Sequence, residues 1–217
     1  MRRRSAPVRF GALTRRGRSA RPLKSEALAP GMTVGLFGGS FDPPHGGHLH
    51  VARTAMRRLQ LDRVWWIVSP HNPLKARKPG EYSDRLARVA ELASAPRMTV
   101  SDVENRMKAR LTARVVAALV QRYPRVNFVW LMGADNLKEF HRWARWQEIM
   151  ASLPVAVIAR PQDPIRARLA PAARTFANRR VTETSLSGFA RRSPPVWTYL
   201  CEPLHKESSS RLRRNRG

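Results

Sequence analysis

From residue 32 onward the chain alternates between short apolar runs and longer stretches carrying an apolar stripe. The runs Met32–Phe37, Val64–Val68, Met98–Val103, Asn127–Met132, Val155–Ala159 and Pro195–Leu200 are each five or six residues long. Except in Met98–Val103, which carries Thr99, Ser101 and Asp102, they show little polar interruption, which predicts strands buried on both faces. Between the first two runs, Leu49, Ala52, Met56 and Leu59 fall on one face of a predicted helix. Leu86, Val89 and Leu92 do the same within Tyr82–Ala93, and Val115, Val116, Leu119 and Val120 within Thr112–Arg122. A further helix is expected over Leu137–Met150. Strands alternating with helices predict an α/β fold built on a doubly wound parallel sheet. Between Pro161 and Pro195 the rhythm is lost among five prolines and many arginines. That stretch reads as one short helix or two around residues 165–190, lying against the sheet edge.

Residues 1–30 have no apolar period and are rich in Arg, Ser, Ala and Pro. They read as a disordered basic arm, which leaves residues 31–217 as a single domain. The arm is Arg-rich and acid-poor like a transit peptide, but it has no apolar core of the secretory kind. A start at Met32 would instead make it an extension of the reading frame. A dispensable arm is the expectation.

Charge changes the picture less than its size suggests. The 217 residues carry 41 Lys plus Arg against 15 acidic residues, a formal net charge of +26. A nucleic-acid binder has such a balance, but here the excess is spread along the whole chain. No zinc-finger spacing and no aromatic-basic interleaving accompany it, so nucleic acid is not the expected partner and anionic substrates suit the charge equally well. Cys201 is the only cysteine, so no disulfide can form within the chain. That makes a cytoplasmic location the default. No apolar run approaches the ~20 residues needed to span a bilayer. Oligomeric state is not legible.

The densest chemistry lies where the first predicted strand hands over to the first helix, in Gly38-Gly39-Ser40-Phe41-Asp42-Pro43-Pro44-His45-Gly46-Gly47-His48-Leu49. In open parallel sheets this is where phosphates bind, on the unsatisfied N–H groups of a helix start. His45 and His48 are three apart and can face one ligand if the helix begins near Gly46. The plainer readings are a tight glycine turn, a pair of solvated histidines, or half of a metal site. No third ligand stands at a metal spacing, so no metal site is expected.

The whole string resembles the (T/H)xGH signature loop of the nucleotidyltransferase superfamily. In its Phe-Asp-Pro-Pro-His and Gly-His-Leu form it is similar to bacterial nicotinate-nucleotide adenylyltransferases. The resemblance implies a Rossmann-like nucleotidyltransferase fold, and it implies that His45 and His48 meet the phosphates of ATP. Gly38, Gly39, Ser40 and Phe41 would line the same nucleotide site. Further elements follow in order. Ser69-Pro70-His71-Asn72-Pro73-Leu74-Lys75 resembles the family's P-x-N-P-x-K element, which places Asn72 and Lys75 at the mononucleotide. Gly133-Ala134-Asp135 resembles its GAD element on the adenosine side, although Asp135 or Asn136 also reads as a helix N-cap. Trp143 matches a tryptophan that stacks on the nicotinate ring, whereas Trp146 reads as packing. Ser208-Ser209-Ser210-Arg211-Leu212-Arg213 resembles SSTxIR, which would set Ser208, Ser209, Ser210 and Arg213 on the ATP phosphates.

One element departs. The family reads roughly R-x-Y-T-x-D-T-L where this chain has Arg110-Leu111-Thr112-Ala113-Arg114-Val115-Val116. Thr112 is kept at the mononucleotide pocket, while Leu111, Arg114 and Val115 replace Tyr, Asp and Thr. The resemblance spans about residues 32–213. It implies adenylyl transfer from ATP, with Mg²⁺ carried by the nucleotide, to nicotinate mononucleotide. Nicotinamide mononucleotide or phosphopantetheine as acceptor, or a basic nucleic-acid-associated protein that kept the fold, are the alternatives.

Overall fold

The structure is a computed structural model, and residues 28–70, 79–109, 111–159 and 167–201 are described. Seven strands form one sheet: β1 (Thr33–Gly39), β2 (Arg63–Val68), β3 (Met98–Ser101), β4 (Asn127–Gly133), β5 (Val155–Ile158), β6 (Arg180–Val181) and β7 (Trp197–Leu200). Their order is β3-β2-β1-β4-β5-β7-β6, and every pairing is parallel. The helices are α1 (Gly46–Arg58), α2 (Tyr82–Leu92), α3 (Val103–Arg106), α4 (Thr112–Arg122), α5 (Ala134–Phe140), α6 (Trp146–Ser152) and α7 (Pro171–Thr175). The expected doubly wound α/β sheet is present.

Period-two alternation sorts the strand side chains between two cores. Phe37, Val64, Trp66, Val68, Val129 and Leu131 face α1 and α2, where Val51, Ala55, Leu86 and Val89 meet them. Val34, Leu36, Trp65, Ile67, Phe128, Trp130 and Met132 face the other way, under α4, α5 and α6. Both faces are covered, so the strands read as continuous apolar runs. Trp66 is fully buried and Trp130 nearly so. Each such ring is worth about 2–3 kcal/mol of burial.

Two expectations need correction, and in the Pro-rich stretch the expected short helix is joined by an edge strand. The helix expected over 137–150 is two helices. The chain breaks between Phe140 and Trp146, where Arg145 takes a left-handed φ of 61° before α6 begins. No glycine or proline marks that break, so periodicity alone ran through it. In the Pro-rich stretch, residues 160–166 lie outside the described residues. Beyond them come α7, a 3-10 turn over Ala177–Arg179 and then β6, a two-residue edge strand too short to show a period. Lastly, Leu28 already packs on the core, and the Gly31 amide donates to the Arg125 carbonyl at 2.7 Å. Residues 28–30 therefore belong to the fold rather than to the arm, and residues 1–27 lie outside the described residues.

The order places β1 beside β4, although the connection from β1 runs through α1 to β2 and that from β4 runs through α5 toward β5. The two connections leave in opposite directions and open a crevice at the carboxyl ends of both strands. The last ladder pair is Phe37 with Leu131, and each strand continues two residues, to Gly39 and Gly133. The two loops therefore start level with one another.

Candidate active site

The loop from Gly39 to α1 owes its shape to aromatic packing. A Cβ on Gly38 would lie 2.4 Å from the Trp130 ring, and one on Gly39 would lie 3.0 Å from Phe41. Both glycines therefore make room for a ring of the protein itself, a reason the sequence did not disclose. Phe41 takes a left-handed φ of 46°, which costs a side-chain-bearing residue about 1–2 kcal/mol. Burial of its ring, 2% exposed, outweighs that cost. The ring packs edge-on against Phe37 (5.3 Å) and His48 (5.1 Å). The Phe41 side chain belongs to the core beneath the loop. Ser40 is likewise largely buried.

The two histidines build the start of α1. His45 is the N-cap, in extended conformation (φ −154°, ψ 169°), and its Nδ1 accepts from the Gly47 amide at 3.1 Å. In return, the His45 amide donates to Nδ1 of His48 at 3.2 Å. This is a capping box in which imidazoles do what Ser and Glu usually do. A ring nitrogen that accepts an amide hydrogen carries no proton of its own, so the proton of each neutral ring sits on Nε2. The cap thus sets the tautomer of both rings and leaves Nε2–H as the donor of each. The ring centroids are 3.9 Å apart, and His45 is buried while His48 is half-buried. Two N–H donors side by side at the positive end of a 13-residue helix suit an oxyanion.

Across the crevice, Gly133 is the N-cap of α5, and no side chain caps that helix. The N-cap reading of Asp135 or Asn136 is therefore corrected. Asp135 lies exposed in the first turn, where its charge complements the helix dipole and its carboxylate reaches solvent at the end of β4. Trp143 sits in the break between α5 and α6, half-buried, with its ring edge-on to Trp130 (6.3 Å) and Phe140 (5.3 Å). A chain of contacts thus runs from Gly38, near the end of β1, through Trp130 to Trp143. Trp146 packs in the core against Phe140 and Phe176, as expected.

Thr112 is half-buried at the first position of α4. Of the departing residues beside it, Val115 is buried against the sheet, Arg114 is exposed and Leu111 is half-buried. Val115 has therefore joined the core. Asn72, Lys75, Ser208, Ser209, Ser210 and Arg213 lie outside the described residues.

Two groups went unnoticed in the sequence. Glu104 is 7% exposed, next to the end of β3, and accepts from the Ser69 hydroxyl at 2.7 Å. Burial holds its carboxyl above the usual carboxylate range, and the Ser69 bond opposes that only in part. Arg85 on α2 is 1% exposed. Its signal was a cation one residue before Leu86 and four before Val89, on the apolar stripe of α2.

Comparison with known proteins agrees with this geometry. The profile of cytidylyltransferase-like proteins matches residues 36–215. A Cereibacter sphaeroides protein named "Probable nicotinate-nucleotide adenylyltransferase" is 53% identical over 84% of this chain and 97% of its own length. The chain belongs to the nicotinate-nucleotide adenylyltransferase family. A Caulobacter relative of the same name is 49% identical over 84% of this chain and 97% of its own length. Plasmodium falciparum nicotinic acid mononucleotide adenylyltransferase, solved in complex with NaAD, superposes with a TM-score of 0.62 at 16% identity. That match covers 84% of this chain and 83% of the other, and at such identity it speaks for the shared Rossmann-like nucleotidyltransferase fold alone.

Proposed function

We propose that this member of the family transfers the adenylyl group of ATP to nicotinate mononucleotide, giving nicotinate adenine dinucleotide and pyrophosphate. The observation that carries the reading is the paired-imidazole cap at the sheet's switch point, in a chain about half identical to family members over nearly their whole length. A phosphate oxygen of the mononucleotide attacks the α-phosphorus of ATP in line. The new O–P bond forms as the bond to the bridging oxygen breaks, and pyrophosphate leaves. No protein nucleophile takes part, so catalysis is positioning plus stabilisation of charge on phosphoryl oxygens.

In this reading Nε2–H of His45 and of His48, with the amides at the start of α1, donates to the ATP phosphates. Ser208, Ser209, Ser210 and Arg213 hold the β- and γ-phosphates. Gly38, Gly39, Ser40 and the Phe41 backbone form the wall of the nucleotide site, and Gly133 and Asp135 meet the adenosine. Asn72, Lys75 and Thr112 receive the mononucleotide, with Trp143 against its pyridine ring. Among the described residues no three His, Cys, Asp or Glu side chains converge. A Mg²⁺ carried by the ATP phosphates would offset their charge. No described helix is long and apolar enough to cross a membrane. We place the protein in the cytoplasm, in keeping with its single cysteine, with residues 28–217 acting as one domain.

Pyrophosphate release by purified protein tests the reading, with ATP and each of nicotinate mononucleotide, nicotinamide mononucleotide and phosphopantetheine in turn. The highest kcat/KM is expected with the acid mononucleotide. A higher value with either other acceptor, or a salt-dependent DNA shift without any turnover, would overturn it.

A further inference from the structure

Arg85 is a buried cation with an unusual set of partners. Nη1 donates to the carbonyls of Ser40 (2.6 Å) and Ser69 (2.8 Å), Nη2 to that of Pro70 (3.0 Å) and Nε to that of Gly80 (2.9 Å). Four main-chain oxygens thus converge on one guanidinium. Asp42, Tyr82 and Glu81 act on its charge. Its plane lies over the Tyr82 ring, 5.3 Å from the centroid, and the Tyr82 hydroxyl donates to the Val68 carbonyl at 3.3 Å.

Those carbonyls lie on different loops. Ser40 belongs to the loop after β1, which leads to the histidines. Ser69 and Pro70 open the loop after β2, and Gly80 closes it ahead of α2. Ser69 also donates its hydroxyl to Glu104, beyond the end of β3. One side chain from α2 therefore ties together the loops after β1 and β2, and Ser69 extends the tie to the third. A fork of donors at fixed angles can hold oxygens from separate segments in one geometry; a lysine, a single charge on a flexible stem, cannot.

We propose that Arg85 is a positioning residue that sets the separation of the loops after β1 and β2, and so the distance between ATP on the first and the acceptor phosphate on the second. This rests on the adenylyl-transfer reading. Its signature is a split in the kinetics. Each substrate keeps contacts on its own loop, so each binds nearly as before, while the reaction between them suffers from misalignment, where about 1 Å can cost on the order of 100-fold.

The test compares wild type with Arg85→Lys and Arg85→Gln. Melting temperature, kcat, both KM values and amide hydrogen exchange near Ser40 and Ser69 are measured for each. The expected result is a folded variant with kcat lowered about tenfold to a hundredfold, both KM values within about threefold, and exchange faster at Ser40 and Ser69 than at Thr33. A folded variant with wild-type kcat and unchanged exchange would overturn the proposal. So would failure of both variants to fold, because Arg85 would then be a requirement of the core. Wild-type turnover in the same assay tests the reaction itself, whereas the exchange pattern reports on the loops even if the acceptor is another mononucleotide.

Discussion

The two ends of the sheet use the same chemistry for different ends. At the amino end, the Asp62 carboxylate accepts from the Thr33 amide (2.7 Å) and hydroxyl (2.9 Å), and the exposed Arg97 donates to the carbonyls of Asp62 and Leu61. Asn127 donates to the Gly31 carbonyl there (3.2 Å). These bonds close on neighbouring strand starts. At the carboxyl end, Arg85 also collects carbonyls, but it is buried and its partners open the loops of the candidate site. The imidazoles there use Nδ1 to cap α1 and keep Nε2–H as donors. An arginine on backbone oxygens is thus a strand fastener at one end and a spacer between substrates at the other. The difference lies in what the fastened segments carry.

Substitutions at the two ends should separate activity from stability. The largest effect is expected for His48→Ala, a loss of at least ~100-fold in kcat, the scale of removing one preorganised donor. Near wild-type turnover in that variant would remove the imidazole pair from the chemistry. Gly38→Ala should cost about 1–3 kcal/mol, read as a lower denaturant midpoint, because its methyl would enter the Trp130 ring. Trp143→Ala should raise the KM for the pyridine mononucleotide up to about tenfold, the scale of one lost ring contact, with little change for ATP. Equal changes in both would return Trp143 to the core.

The smallest effects belong to the amino end. Asp62→Asn should lower stability by about 1 kcal/mol at neutral pH and leave kcat and both KM values alone. The Thr33 amide, aided by the Thr33 hydroxyl and by Arg97 and Arg191, holds the Asp62 carboxyl below the usual range against the opposing effect of desolvation. A lowered acid stabilises the fold above its ordinary pKa, and that share is lost as pH falls through the lowered one. The melting-temperature gap between wild type and variant should therefore shrink in acid. A gap that stays constant down to the acid limb, or a fall in kcat at neutral pH, would erase the contrast between the two ends.

The fold was largely legible because burial on both faces leaves a period-free apolar run; such runs located five of the seven strands, and the more polar Met98–Val103 marked a sixth. β6 escaped because two residues of edge strand carry no pattern. The helix break at Arg145 escaped because a left-handed non-glycine residue has no composition of its own. The signature loop was legible as a string, but the reasons for its residues were not. Gly38 and Gly39 read as lining a nucleotide, and a second reason for each is the room it leaves for the ring of Trp130 or Phe41.

Local spacing sufficed to put two imidazoles at one helix start, because positions three apart on a helix are neighbours whatever surrounds them. Their reciprocal cap, and with it the placement of each proton, needed the backbone of the loop in three dimensions. The same holds for Arg85. A cation among apolar positions announces itself in the chain, but its partners at Ser40, Ser69, Pro70 and Gly80 come from segments up to 45 residues away. Only the parallel sheet, by ending β1 and β2 side by side, brings those oxygens within reach of one guanidinium.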